Sequence, residues 1–322
     1  MAARKRSTAT TTKRRTRKAS EKGGAGGKET AADADAASAA SEAVAARPYP
    51  LHTAGGQPVA VVHVVAELAP FARTGGLGEA VANLAKAQSR AGLAVSLIMP
   101  LYRQVREVVS DFVPASDPFF VQVGPRAEYA RLFESQSLRD RTGEGMPRVY
   151  FVDNEYYFGG REGIYGDARG DYGDNDRRWA YFALASLTAL PMITQAPVMM
   201  HCHDWHTALA PAYLRALEAG NDFLRHTWTV ITVHNAGFQG HFPPPSMADV
   251  GLPWEFYNHH MFEWYGKMNM LKGGMACADA VTTVSPTHAH ELRTEKGGFG
   301  LHDAFVAMRE RFVGIINGID NA

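Results

Sequence analysis

The sequence predicts a doubly wound α/β fold built on a mostly parallel sheet. Three observations carry that expectation. From Pro58 onward, short β-branched runs alternate with helically periodic segments, several of the runs are apolar throughout, and the unusual polar residues fall directly after them. Runs without polar alternation suit strands covered on both faces, as parallel strands under helices are.

The strands expected in order are 59–65, 95–99, 148–152, 197–201, 229–233, 280–284 and 312–316. Between them, residues 77–90 place Leu77, Val81, Leu84, Ala85 and Gln88 at helical spacing, and Gly92 provides a stop. Further helices are expected near 174–190, 207–218, 267–278 and 286–294, so strands and helices interleave along most of the chain. In the last of these, Ser285-Pro286 reads as an N-cap followed by proline at the first helical position, a better account of Ser285 than a nucleophile.

Residues 1–50 are of a different kind. They hold almost no large aliphatic side chain, begin with a basic run (Arg4, Lys5, Arg6, then Lys13, Arg14, Arg15, Arg17, Lys18) and continue into an Ala-rich stretch. Such a segment cannot bury enough surface to offset its conformational entropy, so a disordered tail is expected. A solvated extension, a polyanion- or nucleic-acid-binding arm and an organelle transit peptide all fit that composition.

The 322 residues are 46% hydrophobic, ample for a core. Lysine plus arginine balances aspartate plus glutamate at 33 each, which gives no general reason to expect a nucleic-acid or membrane partner. Two cysteines, Cys202 and Cys277, are too few for a disulfide framework and fit a reducing compartment. A cytoplasmic location is expected, or a plastid if the tail is a transit peptide. The longest apolar stretch falls far short of the roughly 20 residues that cross a bilayer.

In an open α/β sheet, ligands bind beyond the carboxyl ends of the strands. Here Glu67 and Arg73-Thr74-Gly75-Gly76 follow the first strand, Asp153-Asn154 the third, His203-Asp204-Trp205 the fourth, His234-Asn235 the fifth and Asn317-Gly318 the last. The glycine loop precedes a helix, so it is a candidate phosphate site as well as a plain turn; it is not the dinucleotide-binding G-x-G-x-x-G. Glu67, Asp153, Glu155 and Asp204 are candidate paired carboxylates whose separation the sequence does not fix. His201, Cys202, His203 and His206 raise the question of zinc. Strand alternation sends His201 and His203 to one face and Cys202 to the other, and Cys277 has no close partner in sequence, so no metal is expected.

These motifs, taken together, resemble a known family. Ala66-Glu67-Leu68-Ala69-Pro70 through Thr74-Gly75-Gly76-Leu77-Gly78, His203-Asp204-Trp205-His206-Thr207-Ala208, and Thr232-Val233-His234-Asn235 with Phe238-Gln239-Gly240 occur in order. Lys267 to Lys272, Thr283-Val284-Ser285-Pro286-Thr287 and Ile316-Asn317-Gly318-Ile319-Asp320 continue the pattern. Residues 58–320 are thus similar to the Rossmann-like N-terminal domain of bacterial glycogen synthases and plant starch synthases, which are GT-B glycosyltransferases.

The resemblance implies transfer of glucose from ADP-glucose, or UDP-glucose in some members, to the non-reducing end of an α-1,4-glucan with retention and without metal or other cofactor. It implies that Arg73, Thr74, Gly75 and Gly76 meet the donor phosphates and that Glu79 shapes the site behind them. Asp204, His234 and Asn317 would line the sugar pocket, with Asn235 and Gln239 in support. Two positions depart from the family, which usually has Lys at Arg73 and Asp at Glu79. The family also has a C-terminal donor-binding domain, expected to be absent here because the chain stops at Ala322, so little transfer is expected from these residues alone. The alternative is a non-catalytic glucan-binding or assembly module.

Overall fold

The computed structural model describes residues 51–217 and 220–318. The expectation of a disordered tail over residues 1–50 lies outside them. The central sheet has ten strands: β1 (Ala60–Val64), β2 (Val95–Pro100), β3 (Phe112–Pro114), β4 (Phe119–Val123), β5 (Arg126–Ser135), β6 (Arg148–Asp153), β7 (Val198–His203), β8 (Thr227–Val233), β9 (Ala280–Thr283) and β10 (Phe312–Gly314). Their spatial order is β10-β9-β8-β7-β1-β2-β6-β5-β3, with β4 paired to β5. The strands from β10 to β6 run parallel, and the β3–β5 meander is antiparallel.

Every expected strand is present. β1 is buried along its whole length, His63 included, as a parallel strand covered on both faces is. β7 is longer than expected and ends at His203, so that histidine lies within the strand. The meander is the element the apolar runs did not announce. It alternates, with β5 burying Ala130 and Leu132 between more exposed neighbours. Its one buried charge, Glu134, is held by a forked contact from Arg148 at 2.7 and 2.8 Å.

The helices cover this sheet. α1 (Leu77–Arg90) matches the expected bounds and buries Gly78, Val81 and Ala85. α2 (Asn175–Ile193) is almost wholly buried, with Trp179, Tyr181 and Phe182 in the core. α3 (Leu209–Leu217) and α4 (Met270–Cys277) follow. α4 begins three residues later than expected because Lys267–Asn269 forms a short strand, after which Asn269 caps the helix. α5 (Pro286–Leu292) opens on Ser285, whose hydroxyl accepts from the His288 amide at 3.0 Å. No helix among the described residues is long and apolar enough to cross a membrane.

The order of the strands positions the site. The chain moves outward from β1 through β2 to β6, then returns to the other side of β1 to build β7, β8, β9 and β10. The direction therefore reverses between β1 and β7, where the loops leaving the two strands part and open a crevice.

Candidate functional site at the carboxyl ends of the parallel strands

On the β1 side of this crevice stands Glu67, 4% exposed. Its carboxylate accepts from the Thr74 amide (2.7 Å), the Gly75 amide (3.1 Å) and the Thr74 hydroxyl (2.8 Å), and it receives the Tyr165 hydroxyl. These bonds occupy part of the loop expected to meet the donor phosphates. The Thr74 and Gly75 amides are already satisfied by a carboxylate of the chain itself, because the loop folds back over the end of β1. Gly76 stands at the start of α1 without a side-chain cap, which leaves the first amides of the helix without a side-chain acceptor at that position. Arg73 and Glu79 are both about half exposed and are paired with each other.

Asp204 faces this loop from the end of β7. It is 7% exposed and has φ 57° and ψ −174°, a conformation that glycine tolerates and other residues rarely adopt. Such backbone costs on the order of 1–3 kcal/mol and persists only where its surroundings impose it. Here the Asp204 amide donates to Thr232 O at 2.9 Å, and its Oδ1 accepts from the amides of His234 (2.7 Å) and Asn235 (3.3 Å). One side chain thus ties the end of β7 to the end of β8. Burial pushes its carboxyl up to about 7 against the pull of those two amides, and the charge of Glu67 adds to the rise.

His234 leaves β8 half-buried. Its Nε2 lies 3.0 Å from Nδ1 of His203, and burial lowers its imidazole to about 4, so the ring is neutral at pH 7. Asn235 closes a tight turn on the Gly237 amide at 2.9 Å. Gln239 is buried, donates to Ala236 O and Phe299 O and accepts from Asn269 Nδ2, which makes it a strut under residues 235–240. Gly240 ends that turn at φ +66°, where an added Cβ would come 2.3 Å from the Trp205 ring.

A cavity of about 800 Å³ lies between α1 and the sheet, with Val61, Met199 and Val230 on its floor. His201, His203, His234, Thr283 and Asn317 face it. The structure therefore joins His234 to Asn317 through one space and to Asp204 through the backbone, whereas Glu79 is paired with Arg73.

The other strand-end candidates are committed elsewhere. Asp153 pairs with Arg106 at 2.6 Å, and Asn154 caps the turn that follows by accepting from the Tyr157 amide. Glu67 and Asp204 are the candidate carboxylates brought to the crevice, just beyond β1 and β7.

Three histidines from β1 and β7, His63, His201 and His203, bring ring nitrogens within 4.8 Å of one another. His63 lies 140 residues from His203, so nothing in the sequence ties it to the other two. His203 stacks on His201 at 4.3 Å with an interplanar angle of 26°, and it meets His63 edge to edge, the ring centroids 5.3 Å apart and the planes within 18°. The lone pairs of the stacked His201 and His203 rings run side by side and do not converge on one ion, while the facing nitrogens of His63 and His203 are spent on each other. His63 and His203 also use both ring nitrogens in hydrogen bonds. The set is arranged for hydrogen bonding more than for coordination.

A family model described as the starch synthase catalytic domain matches residues 60–307. The chain belongs to this family. Glycogen synthase 2 of Geobacter sulfurreducens is 39% identical over 268 residues, a match covering 81% of this chain and 52% of that protein. The Myxococcus xanthus glycogen synthase is 37% identical over 267 residues, with 81% and 53% covered. Among solved structures, the catalytic domain of starch synthase IV from Arabidopsis thaliana, bound to ADP and acarbose, superposes with a TM-score of 0.69 at 31% identity, covering 81% of this chain and 52% of that one. The chain spans about half the length of these relatives.

Within the starch synthase catalytic domain, the signal that could have exposed Glu67 as the loop's anchor was its place three residues beyond an apolar strand. Tyr165, 98 residues further on, had none. Arg178 was equally hidden: fully buried, it donates to Tyr157 O (2.8 Å) and Ile164 O (3.1 Å) and so carries the segment that delivers Tyr165.

Proposed function

We propose that this domain takes part in transferring glucose from a sugar nucleotide, ADP-glucose before UDP-glucose, to the non-reducing end of an α-1,4-glucan with retention. The observation that carries the reading is the bridge from Asp204 to the His234 and Asn235 amides, a buried carboxylate held in strained backbone at the sheet's switch point. The Arabidopsis structure holds ADP and acarbose, which supports a nucleotide-sugar donor for this chain too.

In this reading the start of α1 and Arg73 face the diphosphate, where fixed amides and a guanidinium stabilise charge as the leaving group departs. Asp204, His234 and Asn317 surround the glucose being moved, and neutral His234 serves it as a hydrogen-bond partner, not as a base. Asn235 and Gln239 hold the turn behind His234. No step needs a metal. Because the family match accounts for about half of each relative, the donor's other contacts are assigned to the remaining half. The test is incorporation of labelled glucose from ADP-glucose into glycogen by the 322 residues alone and by the same chain joined to the C-terminal half of the Geobacter relative. Transfer by the joined protein and little by the chain alone is expected; full transfer by the chain alone would refute the division.

A further inference from the structure

We propose that Gln88, His63 and His203 are positioning residues whose one-directional hydrogen-bond chain fixes the proton of His234 on Nε2 and leaves Nδ1 free to accept from a sugar hydroxyl. The inference rests on the reading that His234 faces the glucose. Its geometry stands without it.

The chain is continuous from α1 to the site. Gln88 Oε1 lies 2.7 Å from His63 Nε2, His63 Nδ1 lies 3.0 Å from His203 Nε2, and His203 Nδ1 lies 3.0 Å from His234 Nε2. His63 and His203 are fully buried, and burial lowers His63 to about 4 and His203 well below its ordinary value, so both rings stay neutral. A neutral imidazole donates from one nitrogen and accepts at the other.

Direction then follows from the first link. A carbonyl oxygen only accepts, so His63 carries its proton on Nε2 and offers Nδ1 as an acceptor. His203 must donate from Nε2 to that Nδ1 and accept at its own Nδ1. His234 must in turn donate from Nε2. Were the Gln88 amide turned over, its NH2 would donate to His63 and every proton would move to the other nitrogen, presenting His234 to the sugar as a donor. The orientation of one amide on α1 thus decides which partner His234 is.

His201 does not interrupt the series. Its Nε2 pairs with the Thr232 hydroxyl at 2.6 Å, which pairs with the Thr282 hydroxyl at 2.7 Å, forming a side branch across β7, β8 and β9. Gln88 itself belongs to the stripe that reads as the buried face of α1, where an amide among Leu77, Val81 and Ala85 is otherwise unexplained.

The test uses the full chain with ring-15N histidine, and two-bond 15N–1H spectra at pH 7.5 report which nitrogen of each ring holds the proton. The signals of His63, His203 and His234 are assigned from variants lacking one histidine each. The expected pattern is Nε2–H in all three. Gln88→Glu, which also only accepts, should keep it, whereas Gln88→Leu should leave His234 as a mixture of tautomers. A proton on Nδ1 of His234, an unchanged His234 signal in Gln88→Leu, or displacement of these protons by one equivalent of Zn2+ would each overturn the proposal. If Gln88→Leu does not fold, the wild-type and Gln88→Glu patterns decide alone. The spectra need no substrate, so this result and the transfer assay fail or succeed separately.

Discussion

The Arg73 guanidinium is paired with the Glu79 carboxylate across the first turn of α1. These are the two positions at which the resemblance leads one to expect lysine and aspartate, and they touch. Arginine is the longer, forked cation and glutamate the longer acid, so the two side chains act as one unit here.

Glu79 should therefore compete with an incoming diphosphate for Arg73. Glu79→Gln is expected to tighten ADP binding by titration calorimetry, and Arg73→Ala to weaken it. Both changes should leave unfolding free energy within about 1 kcal/mol, since an exposed pair contributes little.

Glu67 accepts four hydrogen bonds, and glutamine can accept on only one of its two polar atoms. Glu67→Gln turns an NH2 toward donors and is expected to cost about 2–4 kcal/mol in urea unfolding. Tyr165→Phe, which removes one donor, should cost about 1–2 kcal/mol.

Asp204 reverses the usual pH dependence of a carboxylate. Its folded value near 7 lies above the ordinary 3.8, so the native state holds its proton more tightly than the unfolded chain between those limits. Its contribution is favourable in acid and is lost as pH rises from about 4 to about 7. Asp204→Asn keeps Oδ1 for the His234 and Asn235 amides and removes the buried charge. Relative to wild type, this variant should be similar in stability at pH 4 and more stable by a few kcal/mol at pH 8, because each tenfold difference in proton affinity between the folded and unfolded chain is worth about 1.4 kcal/mol. Equal stability at both values, measured by denaturant midpoint, would show that Asp204 titrates normally.

Gly240→Ala places a methyl against Trp205 at positive φ. It is expected to lower stability by about 2–4 kcal/mol from backbone strain and overpacking together. Thermal unfolding checks it.

Much of this was legible in the sequence, for identifiable reasons. Parallel strands announce themselves as apolar runs, and α1 by its spacing, so the sheet and its cover were read with bounds close to those observed. β5 alternates and carries Arg126, Glu128, Arg131 and Glu134, so no apolar run marks it, whereas β4 (Phe119–Val123) is mostly apolar and was passed over. The strand-end residues were found because topology places them together. Their bonds were not, because Glu67 to Tyr165, His63 to His203 and Asp204 to His234 are contacts across 98, 140 and 30 residues that only the folded sheet creates.

The central claim is that Asp204 and His234 serve glucosyl transfer. It is tested most directly by glucose incorporation from ADP-glucose into glycogen in the protein joined to the C-terminal half of the Geobacter relative, with Asp204→Asn and His234→Ala compared separately. A fall of about 100-fold or more for each, with folding intact, is the predicted result. Rates equal to the unsubstituted protein would contradict it.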